Sequence, residues 1–149
     1  MDEFPGSQPV SLSEENLRLL QKEPYMVSWK ADGTRYLLLI QKDGGYLLDR
    51  DFRIYHLKHI YFPRKDLGGM LTDTLIDGEL VIDTTTDEKG VKTKRPRFLM
   101  YDLVRLNNAK APLDYAERLN LLKVRYFPPF PWFESPSETD FFCCVDRSL

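Results

Sequence analysis

The sequence predicts an α+β domain in which a mostly antiparallel sheet is flanked by helices. Short aliphatic and aromatic segments follow one another with turn residues between them, as at Asp43-Gly44-Gly45, and this pattern is typical of strands joined by hairpins. Helix start signals lie before and after this series of segments. A parallel sheet would instead alternate its strands with helices, so an antiparallel arrangement is favoured.

The predicted elements begin with a short N-terminal helix. Ser11 stands three residues ahead of Glu14, the spacing of a capping box, and Pro24 ends the apolar stripe that follows. Asp114 and Glu117 repeat this spacing and predict a second helix after the sheet. Six strands are expected between the helices, over residues 25–30, 35–41, 46–49, 53–57, 75–82 and 97–104, with residues 84–95 as a loop.

Length and composition limit the class of protein. The chain has 149 residues, enough for one ordinary domain, and its shares of 42% hydrophobic and 30% charged residues are those of a soluble globular protein. We expect no membrane partner, because no apolar run approaches the ~20 residues of a membrane-spanning helix. The net charge of −2 argues against a chain whose main task is to wrap nucleic acid.

Charged residues interrupt or end strands that otherwise suit burial. In residues 28–35, SWKADGTR, a lysine and an arginine lie on either side of a glycine-containing turn, although a solvated β-turn has the same composition. Arg50, residues 77–79 (DGE) and residues 101–102 (YD) are further exceptions to the apolar pattern. Because an unpaired charge in a buried strand is unfavourable, such exceptions together indicate a functional site.

These motifs closely resemble those of the covalent nucleotidyltransferases, the superfamily of messenger-RNA capping enzymes and ATP-dependent polynucleotide ligases. Its signature is Lys-x-Asp-Gly-x-Arg, followed by an Asp-Gly-Glu strand. Residues 4–11 (FPGSQPVS), 27–36 and 98–102 (FLMYD) are similar in particular to the guanylyltransferase domain of animal capping enzymes, over residues 4 to about 123. The signature falls on Lys30, Asp32, Gly33, Arg35, Asp77, Gly78 and Glu79.

The resemblance implies transfer of GMP from GTP, through a lysine–GMP intermediate, to the 5′-diphosphate end of RNA. Lys30 matches the nucleophile, which must be neutral to attack. Arg35 and Arg50 match arginines that hold the ribose and phosphate side of the nucleotide. Residues 77–79 match the strand along the nucleotide, with its glutamate near the ribose and metal, and Tyr101 matches the aromatic residue that stacks on the purine.

The same resemblance implies the cofactor, the partners and the location. Mg²⁺ or Mn²⁺ would arrive with GTP, since a triphosphate-bound ion needs few protein ligands, and the sequence leaves any metal ligands unknown. The expected partners are GTP, the 5′-diphosphate end of nascent RNA and RNA polymerase II, and the expected location is the nucleus.

The resemblance covers only part of a complete enzyme. The family's later motifs and its OB-fold domain do not occur in these 149 residues, so residues 1–124 are expected to form a partial, C-terminally truncated domain. Residues 125–149 are rich in proline and are expected to form an irregular, divergent tail. Two alternatives stay open: a non-catalytic fragment that binds a nucleotide or a partner, and a fragment of an ATP-dependent ligase.

Overall fold

The computed structural model describes residues 4–28, 30–58, 60, 62–64, 68–122 and 143–144 of the chain. Its helices are α1 (Glu14–Leu17), α2 (Leu19–Lys22) and α3 (Tyr115–Asn120). Its strands are β1 (Met26–Val27), β2 (Thr34–Gln41), β3 (Gly44–Leu48), β4 (Ile54–Leu57), β5 (Thr74–Thr86), β6 (Lys92–Leu106), β7 (Ala109–Lys110) and β8 (Cys143–Cys144).

Six of these strands form one sheet in the order β4-β3-β2-β5-β6-β7, and every neighbouring pair is antiparallel. The prediction of a mostly antiparallel sheet is therefore confirmed. The predicted hairpin is confirmed, but its two-residue turn is Lys42-Asp43, and Gly44 and Gly45 of the predicted turn pair with β2 as part of β3. The three helices are short, so the sheet dominates the described part of the chain.

The predicted loop over residues 84–95 is wrong, because most of it forms a long hairpin. β5 and β6 continue their pairing out to Thr86 and Lys92, and the chain reverses between these two residues. The backbone N–H of Asp87 donates to the Val91 carbonyl in this reversal. The polar composition suggested a loop, but both faces of this extension are largely exposed, so its backbone pairing needs no apolar residues.

The first predicted strand, residues 25–30, is also mostly wrong. β1 contains only Met26 and Val27, and it pairs with β8 in a separate two-stranded sheet. Lys30 therefore lies outside any strand, in the segment that leads into β2. Of the predicted irregular tail, the structure describes only Cys143 and Cys144, which the prediction did not assign to a strand. The rest of residues 125–149 lies outside the described residues.

The N-terminal helix begins later than predicted. Ser13, and not Ser11, accepts the N-cap hydrogen bond, from the backbone N–H of Asn16. The Asn16 side chain completes the capping box by accepting from the Ser13 N–H at 2.7 Å. Asp114 is the N-cap of α3 as predicted, with its carboxylate accepting from the Glu117 N–H at 2.9 Å. No helix in the described part of the chain has the length and apolar character needed to cross a membrane.

The two faces of the central strands have different environments. One face packs into the main core, with Leu38 and Ile40 of β2 and Ile76 of β5 fully buried. α3 covers this core through Leu119. The opposite face of β2 and β5 carries Arg35, Leu37, Asp77 and Glu79, because successive side chains of a strand alternate between faces. The candidate site lies on this second face.

β5 and β6 lie so close together at Gly78 that there is no room for a side chain. A Cβ added to Gly78 would lie 2.6 Å from Cζ of Phe98 and even closer to the Leu99 carbonyl oxygen. We expect Gly78→Ala to lower the free energy of unfolding by about 1–3 kcal/mol, as overpacking does. Denaturant unfolding measures this, with the exposed Thr84→Ala on the same strand changing stability by less than about 0.5 kcal/mol. Equal unfolding midpoints for the two variants would contradict this packing.

Candidate active site

An open cleft of about 660 Å³ lies on the second face of the sheet. Its floor comes from β2, β5 and β6, and its rim includes the segment before β2, the turn after β3 and α3. Six of the residues that the sequence singled out line this cleft together: Lys30, Arg35, Arg50, Asp77, Glu79 and Tyr101.

Gly78 is the predicted site residue that does not line the cleft. It pairs with Tyr36 on one side and Met100 on the other, and it is buried against the Phe98 ring. Gly78 therefore contributes to the packing of β5 against its neighbours and not to the lining of the cleft.

The turn that carries Lys30 is fixed to β5 by its two small residues. Ala31 is buried against Val81 and Leu99, in a cluster separate from the main core. The backbone N–H of Gly33 donates to Oε1 of Glu79 at 2.6 Å, and a Cβ at Gly33 would lie 2.8 Å from Cγ1 of Val81. Only glycine allows this close approach. Lys30 itself is exposed and makes no ion pair or hydrogen bond within the described residues.

Glu79 connects this turn to the other side of the cleft. While Oε1 accepts from the Gly33 N–H, Oε2 accepts a short hydrogen bond from the Tyr101 hydroxyl. Burial, followed by the hydrogen bond to Glu79, raises the pKa of Tyr101, which stays a neutral donor. Both carboxylate oxygens of Glu79 are thus used to hold neighbouring parts of the cleft.

Arg35 and Asp77 form the most buried ion pair of the cleft. Nε of Arg35 donates to Oδ1 of Asp77 at 2.9 Å, and Nη2 donates to Oδ2 at 2.5 Å. This two-pronged geometry matches a planar guanidinium to a carboxylate. The side chains of Arg35 and Asp77 are only 14% and 4% exposed, so removal of either partner would leave a charge largely out of water.

Arg50 is placed differently from Arg35. It is exposed in the turn between β3 and β4 and has no hydrogen bond or ion pair within the described residues. Asp49 organises this turn, because its Oδ1 accepts from the backbone N–H groups of Asp51 and Arg53, each at 2.9 Å. Lys30 and Arg50 are therefore both available to an anion that enters the cleft.

A β-bulge in β6 explains why two consecutive residues reach the cleft. Asp77 pairs with Asp102, whereas Gly78 pairs with Met100, so Tyr101 is the extra residue. A second register shift follows between Leu75 and Ile76 of β5. Consecutive residues of a regular strand would point to opposite faces, but at this bulge Tyr101 and Asp102 both line the cleft.

Sequence reasoning missed the group that supports this bulge. Arg118 of α3 donates from Nε to Oδ1 of Asp102 at 2.6 Å and from Nη1 to the Leu113 carbonyl at 2.6 Å. The Tyr115 hydroxyl donates to the Tyr101 carbonyl at 3.1 Å. Arg118 and Tyr115 both line the cleft. The signal available in the sequence was an arginine one helical turn after the Asp114 cap, beside the buried Leu119.

The cleft offers no ready-made metal centre in the part of the chain that the structure describes. No group of three or more potential His, Cys, Asp or Glu ligands occurs there. Each carboxylate of the cleft is already bound: Asp77 to Arg35, Asp102 to Arg118, and Glu79 to two donors. A divalent ion would therefore need most of its ligands from a bound phosphate and water.

The phenol of Tyr101 provides a spectroscopic test of this geometry. The fold favours its neutral form, so the associated stability is complete below the ordinary pKa of 10.0 and is lost as the pH rises through the higher folded-state pKa. A pH titration of the wild type, monitored by the ultraviolet absorbance of phenolate, should contain a phenol that ionises above the ordinary range. We expect this phenol to be missing from the titration of Tyr101→Phe. Glu79→Gln should lower the pH at the midpoint of the Tyr101 titration, because it removes the carboxylate that, together with burial, raises this pKa. Glu88→Gln, in the distant turn between β5 and β6, should leave the midpoint unchanged.

Comparison with known proteins agrees with the motifs in the cleft. Residues 1–130 match the family model described as mRNA capping enzyme, catalytic domain. The mRNA-capping enzyme of Mus musculus is 46% identical over 129 residues, which are 85% of this chain and 21% of the mouse protein. The mRNA-capping enzyme of Caenorhabditis elegans is 40% identical over 122 residues, which are 81% of this chain and 19% of the worm protein.

A fungal relative extends the comparison. The mRNA-capping enzyme subunit alpha of Neurospora crassa is 37% identical over 139 residues, which are 85% of this chain and 34% of the fungal protein. The chain thus spans about a fifth of the animal relatives and about a third of the fungal one. With its family match over most of the sequence and the motif residues gathered in one cleft, the chain belongs to the mRNA capping enzyme catalytic domain family.

Proposed function

We propose that the cleft is a guanylyltransferase site in which Lys30 accepts GMP from GTP. The observation that carries this proposal is the position of Lys30, which lies unpaired within the described residues in the same cleft as Arg35 and Arg50. Nζ of Lys30 would attack the α-phosphorus of GTP as its bond to the pyrophosphate oxygen breaks. The lysine proton would pass to solvent, and pyrophosphate would leave.

The second step of the proposal returns the lysine to its starting state. A terminal phosphate oxygen of a 5′-diphosphate RNA would attack the phosphorus of lysine–GMP. The P–N bond would break as the new P–O bond forms, and Nζ would regain a proton. Both steps transfer an anionic nucleotidyl group to or from a phosphate partner, so their rate depends on positioning and on nearby positive charge.

The two arginines suit different parts of this task. Arg50 is exposed and unpaired within the described residues, so its whole guanidinium can move to meet a phosphate. Arg35 is held by Asp77 through Nε and Nη2, which leaves Nη1 without a hydrogen-bond partner in the described part of the chain. We propose that Arg50 neutralises phosphate charge and that Arg35 donates from Nη1 in a fixed direction.

Glu79 and Tyr101 are proposed to position the nucleotide. Tyr101 lines the cleft with its hydroxyl held by Glu79, which fixes a flat face large enough to stack on a purine. Glu79 also holds the Gly33 N–H, and through it the turn that carries Lys30. Glu79 would therefore hold the Tyr101 ring and the turn that carries Lys30 at a constant separation. We also propose that Glu79 lies near the ribose of the bound nucleotide.

Mg²⁺ or Mn²⁺ is proposed to enter as part of the GTP complex. This agrees with the cleft, where the described carboxylates are already bound to other groups. When bound, the ion would neutralise triphosphate charge that the protein cations do not reach.

The wider role is proposed for the whole protein, since this chain spans only part of its relatives. The names of these relatives support a role in mRNA capping. By the resemblance, nascent RNA would be the acceptor, RNA polymerase II a partner and the nucleus the place of action.

Covalent labelling tests the lysine step. The protein is incubated with Mg²⁺ and GTP or ATP labelled in the α-phosphate. We expect label from GTP that survives alkali and is lost in acid, as a P–N bond requires. The label should disappear in Lys30→Ala and persist in Lys42→Ala, which alters an exposed lysine outside the cleft. Preferential labelling from ATP would favour ligase chemistry, and nucleotide binding without label would favour the non-catalytic alternative.

Arg50 allows a second test with a close control. We expect Arg50→Ala to weaken GTP binding by about tenfold to a hundredfold, because a charge-assisted hydrogen bond contributes about 1.5–3 kcal/mol. Protein stability should stay unchanged, since Arg50 has no partner among the described residues. Arg53→Ala removes the same charge from the same turn, but Arg53 is paired with Asp51 and should not affect binding. Calorimetric titration measures both, and equal losses would contradict a specific role for Arg50.

A further inference from the structure

The N-terminal residues Phe4, Pro5, Gly6 and Ser7, here called the N-terminal brace, lie directly on the Arg35–Asp77 ion pair. Nη2 of Arg35 donates to the Ser7 carbonyl at 2.6 Å, in addition to its bond with Asp77. The Phe4 ring lies under the guanidinium, with Cζ of Arg35 5.0 Å from the ring centroid. This separation is within the range of a cation–π interaction.

Gly6 makes this contact possible. It is buried, and a Cβ added to it would lie 2.6 Å from both Nη2 of Arg35 and Oδ2 of Asp77. Real Cβ atoms do not approach other atoms so closely, so a larger residue would have to displace something. The nearest atoms that can move are the ends of the Arg35 and Asp77 side chains. A methyl group at Gly6 would therefore press directly on the guanidinium and on the Asp77 carboxylate.

The brace determines which part of Arg35 remains available. Asp77 occupies Nε and Nη2, the Ser7 carbonyl takes the second bond of Nη2, and Phe4 covers one face. Nη1 has no hydrogen-bond partner in the described residues. Since Arg35 lines the cleft, Nη1 is the donor left for an incoming ligand.

The brace also contacts the turn that carries Arg50. The Phe4 ring meets the Phe52 ring edge-on, with 6.5 Å between the ring centroids. Phe52 has a φ of +61°, an unusual conformation for a non-glycine residue, and its backbone N–H donates back to the Asp49 carbonyl at 3.1 Å to close this turn. Through Phe4, a single segment therefore contacts both the Arg35 guanidinium and the turn that carries Arg50.

We propose that the N-terminal brace is a positioning element of the nucleotide site. It directs Nη1 of Arg35 toward a phosphate or ribose oxygen of the bound nucleoside triphosphate, and Gly6 is the residue that this placement requires. The inference rests on the proposed function of the cleft for its ligand. The bracing of Arg35 itself is independent of that function.

The test is a double-mutant cycle between Gly6→Ala and Arg35→Lys, read by calorimetric binding of Mg²⁺–GTP. We expect Gly6→Ala to weaken binding about tenfold, comparable to the loss of one hydrogen bond to a charged group. In the Arg35→Lys background the same change should have less than about a twofold further effect, because the guanidinium is already absent. Phe4→Ala, which removes a partly buried ring from beside the guanidinium, should weaken binding to a similar extent as Gly6→Ala. Val10→Ala, at an exposed position outside the brace and the cleft, should bind normally.

Two results would overturn the proposal. One is wild-type affinity in Gly6→Ala, and the other is a full additive loss in the double variant, which a merely structural role would produce.

A second readout separates the brace from the function. Hydrogen exchange of the Arg35 Nε–H, followed by NMR without nucleotide, should be about tenfold faster in Gly6→Ala than in the control Val10→Ala. Equal exchange rates would overturn the brace even if the cleft binds GTP. Faster exchange in a protein that fails to bind GTP would instead support the brace and reject the proposed function.

Discussion

The buried carboxylate of Asp77 is the constraint on which the site depends. Asp77 is 3% exposed in the middle of a six-stranded sheet, where its charge is tolerated only because Arg35 neutralises it through two hydrogen bonds. This pairing fixes β2 against β5, keeps the guanidinium at the cleft and gives the N-terminal segment a surface to pack on. The phosphate side of the proposed site is therefore organised by a stabilising ion pair that is part of the sheet.

A second arginine–aspartate pair supports the opposite wall of the cleft. Arg118 holds Asp102 in the way that Arg35 holds Asp77, and Asp77 and Asp102 are partners in the β5–β6 register. Two carboxylates on paired positions of neighbouring strands would repel each other if neither had its own cation. Because Arg35 and Arg118 are each paired with an aspartate, Lys30 and Arg50 are the cleft cations without an ion-pair partner among the described residues.

The sequence predicted which residues line the cleft better than it predicted the groups that support them. Lys30, Arg35 and Glu79 were recognisable because charged residues stood in apolar strands within a known motif order. The hairpin over residues 84–95 was missed because exposed strands carry no burial pattern. Arg118 and Gly6 were missed because their roles depend on contacts between distant segments, which local spacing does not record.

The bulge at Tyr101 also changes the phase of the β6 strand. Before it, Phe98 and Met100 face the core, but after it the core residue is Leu103, so the inside–outside alternation has slipped by one. The second register shift, opposite Leu75 and Ile76, slips it again, and Leu106 returns to the original phase against the core. Asp102 and Leu103 are thus the residues of β6 in which the inside–outside alternation is reversed. The number of residues between the two shifts is consequently as constrained as their identity, since one insertion or deletion there would turn the rest of the strand inside out.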